Sequence, residues 1–281
     1  MKPPRDKSHR FVRARAVMVA LSGFSMVKVL LAVMANSRPH TRPFALGLLK
    51  LLAPGPRVSF VYKFNGCKRI GFLRWKYIDS DVQVALEFVT GDWYRLSRIP
   101  QPDFIVDGGA NTGLFTLAAT ARWPNVPIIA FEPVPENVEA IKNHIKANHI
   151  QKHVRIEPAA LAGSDGNKRF FLRELCQGGF FENLPAAGTI DVRCRVLSQY
   201  FPSDPNMLKL IKLDIEGGEI EVLDELFQNG GLKKTIIVME LHTPPATREW
   251  IEELARRIGY RIEFFQFGPV TAHCQLTSPD L

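Results

Sequence analysis

Residues 104–113 have the sequence FIVDGGANTG, in which a short apolar run ends at Asp107 and a glycine-rich turn follows. Apolar runs of this length are typical of buried strands, and the amphipathic stretch 114–122 predicts a helix directly after the turn. Because glycine has no side chain, the backbone of such a turn can approach a ligand closely beside the helix N-terminus. The stretch therefore predicts a nucleotide-type ligand site on a strand, a turn and a helix.

The same alternation of short apolar runs and helix-length amphipathic stretches continues along the chain. It predicts a doubly wound, mostly parallel α/β sheet with helices on both faces, a Rossmann-like fold. The predicted strands are 104–106, 128–131, 154–156, 208–213 and 236–240, and the predicted helices are 114–122, 136–148, 219–227 and 247–258. Two last runs, 260–267 and 272–276, have no helix between them and predict a C-terminal antiparallel hairpin.

The chain before this core carries most of the positive charge. Residues 1–57 hold eleven Lys or Arg and one acid, a formal charge of +10, whereas the remaining 25 basic and 27 acidic residues sum to −2. The basic charge therefore belongs to a leader and linker, so we expect no nucleic-acid partner for the core. The four cysteines lie far apart without the spacing of a metal site, which argues against a zinc-binding module.

The leader also contains an apolar stretch, 16–35, flanked by arginines and broken by Lys28. Its uncharged part, 16–27, is short for a membrane span and is typical of an interfacial helix or a signal-peptide core. Four interpretations stay open: contact with a membrane surface through residues 10–42, a membrane anchor, a cleaved signal, and a helix packed on the domain.

The predicted domain after the leader, 58–281, divides into an entry segment, 58–100, and a cofactor-binding core, 101–281. Within the entry segment, two apolar runs flank Asn65-Gly66, a dipeptide that strongly favours a tight hairpin turn. We therefore predict an N-terminal helical and hairpin extension, in which the apolar stretch of the leader supplies the helix and these runs the hairpin. Its two strands are 58–64 and 69–75.

Acidic residues stand where predicted strands end, and in a doubly wound sheet the carboxyl ends of strands line the ligand crevice. Asp107 ends the first strand, where it is placed to bind an ammonium group of the ligand. Glu132 ends the second strand, in front of Pro133, and a carboxylate there can accept hydrogen bonds from both hydroxyls of a ribose. The alternative for Glu132 is a strand-end acid that caps the following helix.

The fourth predicted strand ends at Asp214, within the sequence IKLDIEGGE of residues 211–219. We expect Asp214 and Glu216 to face the reacting group of the ligand or a divalent metal beside it, such as Mg²⁺. For Glu216 and Glu219 the alternative is to complement the N-terminus of the next helix. His242 follows the fifth strand and is a candidate general base, because histidine titrates near neutral pH.

Five motifs follow one another along the chain: VDGGANTGLFT, AFEPVPENVEAIKNHIKAN, EPAALAGSDG, IKLDIEGGEIEVL and IIVMELH. Their order and spacing resemble the FkbM family of methyltransferases over residues 58–267. The resemblance implies S-adenosylmethionine as methyl donor and a hydroxyl of a sugar, a polysaccharide or a natural product as acceptor. Because this cofactor is made and used in the cytosol, we expect a cytoplasmic protein, with membrane association through the leader left open.

The expected site has a cofactor side and an acceptor side. The cofactor-binding residues are Asp107, Gly108, Gly109, Asn111, Gly113, Glu132 and Pro133, the catalytic residues are Asp214, Glu216 and His242, and Asp214 is also a candidate metal ligand. The family resemblance implies the cofactor contacts of Asp107, Gly109, Asn111 and Glu132 and the position of Asp214 near the acceptor.

Two other functions stay open on the same fold. An NAD-dependent oxidoreductase would use a similar strand, loop and acid, but the glycines of residues 104–113 lack the Gly-x-Gly-x-x-Gly spacing of a dinucleotide site. A non-catalytic, membrane-associated binding or assembly module would explain the basic leader, although it would not need the intact loop and carboxylates.

Overall fold

The computed structural model describes most of the chain from residue 57 onward. The described residues are 57–64, 67–78, 80–81, 84–85, 92, 94–172, 178–179, 188–229, 232–241, 246–267 and 272–281. The predicted membrane-contact segment, 10–42, and the predicted turn at 65–66 lie outside them. No helix in the described part of the chain combines the length and the apolar content of a membrane span. The chain divides into two compact units after residue 93.

The first unit contains the predicted hairpin. Strand β1, Arg57–Phe64, pairs antiparallel with strand β2, Cys67–Arg74. β2 begins two residues earlier than predicted because its pairing with β1 continues as far as Cys67, opposite Phe64. At the other end of β2, Arg74 donates its backbone N–H to Asp81 at 2.7 Å, and its guanidinium pairs with the same buried carboxylate at 2.6 Å. This double contact fixes the chain where β2 ends.

The second unit contains two sheets and four helices among the described residues. Along the chain, its strands are β3 (Phe104–Gly108), β4 (Ile128–Phe131), β5 (Val154–Glu157), β6 (Ala160–Leu161), β7 (Gly166–Leu172), β8 (Gly178–Gly179), β9 (Gly188–Arg195), β10 (Lys209–Leu213), β11 (Thr235–Leu241), β12 (Arg261–Phe267) and β13 (Ala272–Thr277). Its helices are α1 (Leu114–Arg122), α2 (Pro135–Ala147), α3 (Glu219–Gln228) and α4 (Ala246–Arg257).

The main sheet has seven described strands in the order β12-β13-β11-β10-β3-β4-β5. The strands from β11 to β5 are parallel, and β13 is antiparallel to both of its neighbours. The predicted fold class, a doubly wound, mostly parallel sheet that ends in an antiparallel hairpin, is therefore confirmed. Helix α2 begins one residue earlier than predicted, at Pro135, because proline is well suited to the first helical position.

The strand order reverses beside β3. From β3 the chain continues to β4 on one side, whereas β10 occupies the other side. In doubly wound sheets the ligand crevice lies outside the carboxyl ends of the strands at such a reversal. The loops that follow β3 and β10 are therefore where the fold favours a ligand site.

A buried apolar row crosses the centre of the main sheet and holds these strand ends in place. Val106, Ile211 and Ile237 are register partners on β3, β10 and β11, and all three are fully buried. On α1, every residue from Leu114 to Ala121 is buried as well. Strands covered by helices on both faces are apolar in this way.

A second sheet forms where the sequence pattern predicts no strand, between residues 157 and 208. Its order is β6-β9-β7-β8, and β7 and β9 pair antiparallel from Gly166 opposite Cys194 to Leu172 opposite Gly188. The strands β6 and β8 have only two residues each, and β7 and β9 are largely polar and partly exposed. Length and polarity therefore conceal β6, β7 and β8, whereas β9 alternates polar residues with Ile190, Val192 and Cys194, a strand pattern that the prediction overlooked.

Candidate functional site

The glycine-rich loop after β3 crosses the end of β10 in close contact. Gly109, Asn111 and Gly113 have φ angles of 72°, 51° and 84°, in the left-handed region that glycine adopts most easily. A Cβ atom on Gly109 would lie 1.9 Å from the carbonyl oxygen of Asp214, so a side chain there is excluded by backbone. The loop is thus shaped by its glycines to bring the ends of β3 and β10 together.

Asp107 is fully buried under this loop. Its Oδ2 accepts a hydrogen bond of 2.6 Å from the hydroxyl of Thr116 on α1, and its Oδ1 lies 3.6 Å from Nζ of Lys212. Oδ1 has no hydrogen-bond partner among the described residues. Burial raises the pKa of the Asp107 carboxyl, and the nearby Lys212 ammonium opposes that rise.

Lys212 lies between the two strand-end aspartates and is itself almost completely buried. Its Nζ is 3.6 Å from Asp107 Oδ1 and 3.3 Å from Asp214 Oδ2, and it donates hydrogen bonds to the carbonyls of Gly108 and Gly109 at 3.1 and 2.7 Å. Burial alone would lower the pKa of Lys212, but the carboxylates of Asp214 and Asp107 outweigh it, so its pKa is raised and it stays charged. Sequence reasoning missed Lys212, although a lysine inside an apolar strand was a signal.

Asp214 follows β10 at the same edge, with a side chain that is 26% exposed. Besides Lys212, its Oδ2 accepts a hydrogen bond of 3.0 Å from the hydroxyl of Tyr94. The Tyr94 ring packs edge-on against Phe115 of α1, with ring centroids 5.5 Å apart, and lies 6.1 Å from the ring of His273. Sequence reasoning missed Tyr94 because its contacts join residues far apart in the chain.

Glu132 lies at the end of β4 and is 4% exposed. Its Oε2 accepts a hydrogen bond of 2.8 Å from the backbone N–H of Asn111 in the glycine-rich loop. Its Oε1 accepts hydrogen bonds from the backbone N–H of Val134 at 2.9 Å and from the amide of Asn137 at 3.2 Å. These bonds fix the chain before α2 but none of them reaches a backbone N–H of the helix, and the ribose contact and the role of half-buried Pro133 stay predictions. Burial raises the pKa of Glu132 to about 7.

The loop after Asp214 is held by the first residue of α3. The buried Glu219 carboxylate accepts hydrogen bonds from the backbone N–H groups of Ile215 at 3.1 Å and Gly217 at 3.0 Å, which lie in the loop before the helix whose N-terminus Glu219 was expected to complement. Glu216 has a φ angle of 56°. A Cβ atom on Gly179 of β8 would lie 2.3 Å from the Glu216 carbonyl oxygen, so the second sheet packs directly on this loop.

At the end of β11, predicted His242 lies outside the described residues. Its neighbour Glu240 instead pairs with His273 of β13, whose Nε2 lies 3.3 Å from the Glu240 Oε2 atom. In the described part of the chain, no group of three or more His, Cys, Asp or Glu side chains is arranged to hold a metal. The predicted metal contact of Asp214 therefore gains no support from the geometry.

The sequence of the chain matches a known family, described as the Methyltransferase FkbM domain, over residues 107–262. The chain belongs to the FkbM methyltransferase family. The match spans the glycine-rich loop and the strand-end carboxylates and ends at the start of β12. The family resemblance predicted from the motifs is thus confirmed, and the protein is a methyltransferase.

Two curated relatives of this FkbM protein are fungal methyltransferases. Methyltransferase sdnD of Sordaria araneosa is 27% identical over 228 residues, covering 67% of this chain and 88% of the relative. Methyltransferase 1 of Beauveria bassiana is 28% identical over 173 residues, covering 52% of this chain and 70% of the relative.

Solved structures similar to this FkbM protein also include transferases. The crystal structure of Methyltransferase FkbM from Methylobacillus flagellatus KT is 12% identical, with a TM-score of 0.49, and the match covers 94% of this chain and 58% of that one. A putative transferase from Pyrococcus horikoshii is 15% identical, with a TM-score of 0.44, and the match covers 94% of this chain and 97% of that one.

Proposed function

We propose that this methyltransferase transfers the methyl group of S-adenosylmethionine to a hydroxyl of a sugar, a polysaccharide or a natural product. The observation that carries the proposal is the Asp107 carboxylate, which is fully buried beside the glycine-rich loop. Its Oδ1 has no hydrogen-bond partner among the described residues. Buried polar atoms are almost always hydrogen-bonded, and the Lys212 ammonium at 3.6 Å is beyond hydrogen-bond distance, so Oδ1 can accept a donor from a bound ligand. The ammonium of S-adenosylmethionine is such a donor.

The charge of the site also suits this cofactor. Asp107, Asp214 and Lys212 together carry two negative charges and one positive charge, which leaves a net charge of −1 at the edge of the sheet. S-adenosylmethionine has a net positive charge, because its sulfonium and ammonium outnumber its carboxylate. In this proposal Asp107 binds the ammonium, and Glu132 accepts the ribose hydroxyls with the lone pairs that its N–H donors leave available.

When bound, S-adenosylmethionine supplies a methyl group that is already activated on its sulfonium. The chain then has to orient the acceptor hydroxyl and to accept its proton. We assign the proton to the carboxylate of Asp214, which is partly exposed and is held in place by Tyr94 and Lys212. Glu216 and His242 are proposed as further acceptor-side residues, on the basis of their positions in the sequence.

The charges on the acceptor side favour a neutral, hydroxylated acceptor. Asp214 and Glu216 carry carboxylates, which accept hydrogen bonds from hydroxyl groups and repel anionic groups. A small polyol or a glycan meets both conditions, as does the hydroxyl-bearing acceptor that the family resemblance implies.

The donor is tested by isothermal titration of the full chain with S-adenosylmethionine, S-adenosylhomocysteine and NAD. We expect binding of the first two and none of NAD. Asp107→Asn should weaken binding of S-adenosylhomocysteine about tenfold or more, since it removes a charged hydrogen-bond acceptor. The matched control is Asp103→Asn, because Asp103 precedes the same strand at the opposite edge, where its carboxylate accepts the backbone N–H of Leu208.

Binding of NAD in place of the methyl donor would support the oxidoreductase alternative and overturn the proposal. Equal losses of affinity in Asp107→Asn and Asp103→Asn would remove Asp107 from the cofactor site. The acceptor is then sought by transfer of a radiolabelled methyl group to a panel of polyols, monosaccharides and polysaccharides, together with carboxylic acids and amines. Transfer confined to the acids or amines would contradict the assignment to hydroxyl groups.

A further inference from the structure

Lys212 contacts both the residues predicted to bind the cofactor and the residue predicted to face the acceptor. On one side its ammonium contacts the cofactor half, namely the Asp107 carboxylate and the carbonyls of Gly108 and Gly109. On the other side it contacts the acceptor half through Asp214, at 3.3 Å. The contacts follow from the sheet, because Lys212 is the register partner of Asp107 and its side chain lies on the same face of β10 as that of Asp214.

The Lys212 ammonium is thus shared by the carboxylates of Asp107 and Asp214. The side chain of Lys212 is 4% exposed and that of Asp107 is 0% exposed, so water does not screen their interaction. When one of two carboxylates loses its charge, the shared ammonium pairs more fully with the other. A change at Asp214 should therefore alter how strongly Lys212 holds Asp107.

We propose that Lys212 is a positioning residue that couples the binding of the cofactor at Asp107 to the charge on Asp214. The inference rests on the proposed function, in which Asp107 binds the ammonium of the cofactor. Lys212 and the ammonium of the cofactor then compete for the Asp107 carboxylate. The ion pair between Lys212 and Asp214 weakens the hold of Lys212 on Asp107 and so favours the cofactor. Loss of the Asp214 charge shifts Lys212 toward Asp107 and weakens binding of the cofactor, although Asp214 itself lies on the acceptor side.

The experiment is a double-mutant cycle on the full chain, with S-adenosylhomocysteine as the titrated probe. Asp214→Asn alone should lower the affinity about fivefold, the size of effect that close charge pairs produce when one member is removed. In a Lys212→Met background, the same Asp214→Asn substitution should change the affinity by about twofold or less, because the connecting charge is gone. Loss of fold alone does not produce this difference between backgrounds.

The matched control is Lys209→Met, which removes a second buried lysine from the same strand. Lys209 lies at the opposite end of β10, where its Nζ is 3.4 Å from the Met207 carbonyl. In that background, Asp214→Asn should still lower the affinity about fivefold, as in the parent chain.

An equal effect of Asp214→Asn with and without Lys212 overturns the inference. If Lys212→Met does not fold, the cycle is repeated with Lys212→Gln, which keeps a neutral donor for the Gly109 carbonyl, and the same criterion applies. Absence of any binding of S-adenosylhomocysteine to the parent chain overturns the proposed function instead, so the two failures are distinguishable.

Discussion

The carboxylate of Glu132 accepts a hydrogen bond of 2.8 Å from the backbone N–H of Asn111, so one partly buried hydrogen bond joins the end of β4 to the turn after β3. The same carboxylate also accepts the N–H of Val134, where α2 begins. Glu132 therefore stabilises the glycine-rich loop against the start of α2. The protonation of this carboxyl has consequences for stability.

Stability should fall between mildly acidic and neutral pH because of Glu132. Its pKa is raised from 4.5 to about 7 by burial, so above pH 4.5 the unfolded chain loses this proton while the folded chain keeps it. Ionisation therefore favours the unfolded state across that window, by about 3 kcal/mol when it is complete. The free energy of unfolding, measured with urea at pH 5 and pH 8, should drop less in Glu132→Gln than in the parent chain.

The exposed Glu136 in the first turn of α2 provides the control for this measurement. Glu136→Gln should keep the full pH-dependent drop of the parent chain. The same drop in all three proteins would show that the Glu132 carboxyl is not the titrating group.

Gly109→Ala should strongly destabilise the fold. The substitution places a Cβ atom 1.9 Å from the Asp214 carbonyl oxygen at a residue whose φ is +72°, so the loop or the end of β10 has to move. We expect a loss of about 3 kcal/mol or more in the free energy of unfolding. Gly188→Ala is the control, because nothing lies within 4 Å of a Cβ atom there, and its effect should stay below about 1 kcal/mol. A Gly109→Ala protein as stable as Gly188→Ala would contradict the close approach of the loop to β10.

Tyr94→Phe should slow methyl transfer more than it weakens cofactor binding. The hydroxyl of Tyr94 donates to Asp214 Oδ2, and without it one of the groups that orient this carboxylate is lost. We expect kcat for the acceptor found in the panel to fall about three- to tenfold. Tyr260→Phe removes a hydroxyl from a buried tyrosine at the start of β12, at the far edge of the sheet, and should leave kcat unchanged. Equal values of kcat in the two variants would show that Tyr94 does not orient the Asp214 carboxylate for catalysis.

Cys274 should resist alkylation in the folded protein. Its side chain is fully buried, and burial raises the pKa of its thiol to about 12, so little reactive thiolate forms near neutral pH. Half-exposed Cys67 should react with iodoacetamide much faster. Mass spectrometry of tryptic peptides after a short exposure gives both rates, and comparable labelling of the two cysteines would refute the burial of Cys274.

The central sheet could be predicted because its strands are apolar runs of ordinary length. Asp107, Glu132 and Asp214 were also accessible to sequence reasoning, since each ends such a run and parallel strands bring their ends to one edge. Lys212 was missed, although a lysine within an apolar strand indicates a buried charge that needs a partner. Only the register of β10 with β3 shows that a carboxylate is present to receive its charge.

The partners of these residues were harder to predict for a different reason. Tyr94 contacts residues on α1, on β13 and after β10. These residues are far apart in the sequence, so no local sequence pattern predicts that they lie together. The second sheet depends on pairing between β7 and β9; β9 alternates polar and apolar residues as a strand does, but β7 does not, so its partner strand is not indicated by the sequence. Both features arise from tertiary contacts that exceed local preference.

The position of β3 between β4 and β10 sets the order in which the protein can mature on the ribosome. A nascent chain that has reached β5 has paired β3 on one side only, and the other edge of β3 is left open until β10 emerges from the ribosome. The glycine-rich loop acquires its contact with Asp214 at that late step. A ligand site built on this loop is therefore complete only after β10 has joined β3, so it depends on two segments separated by about a hundred residues of chain.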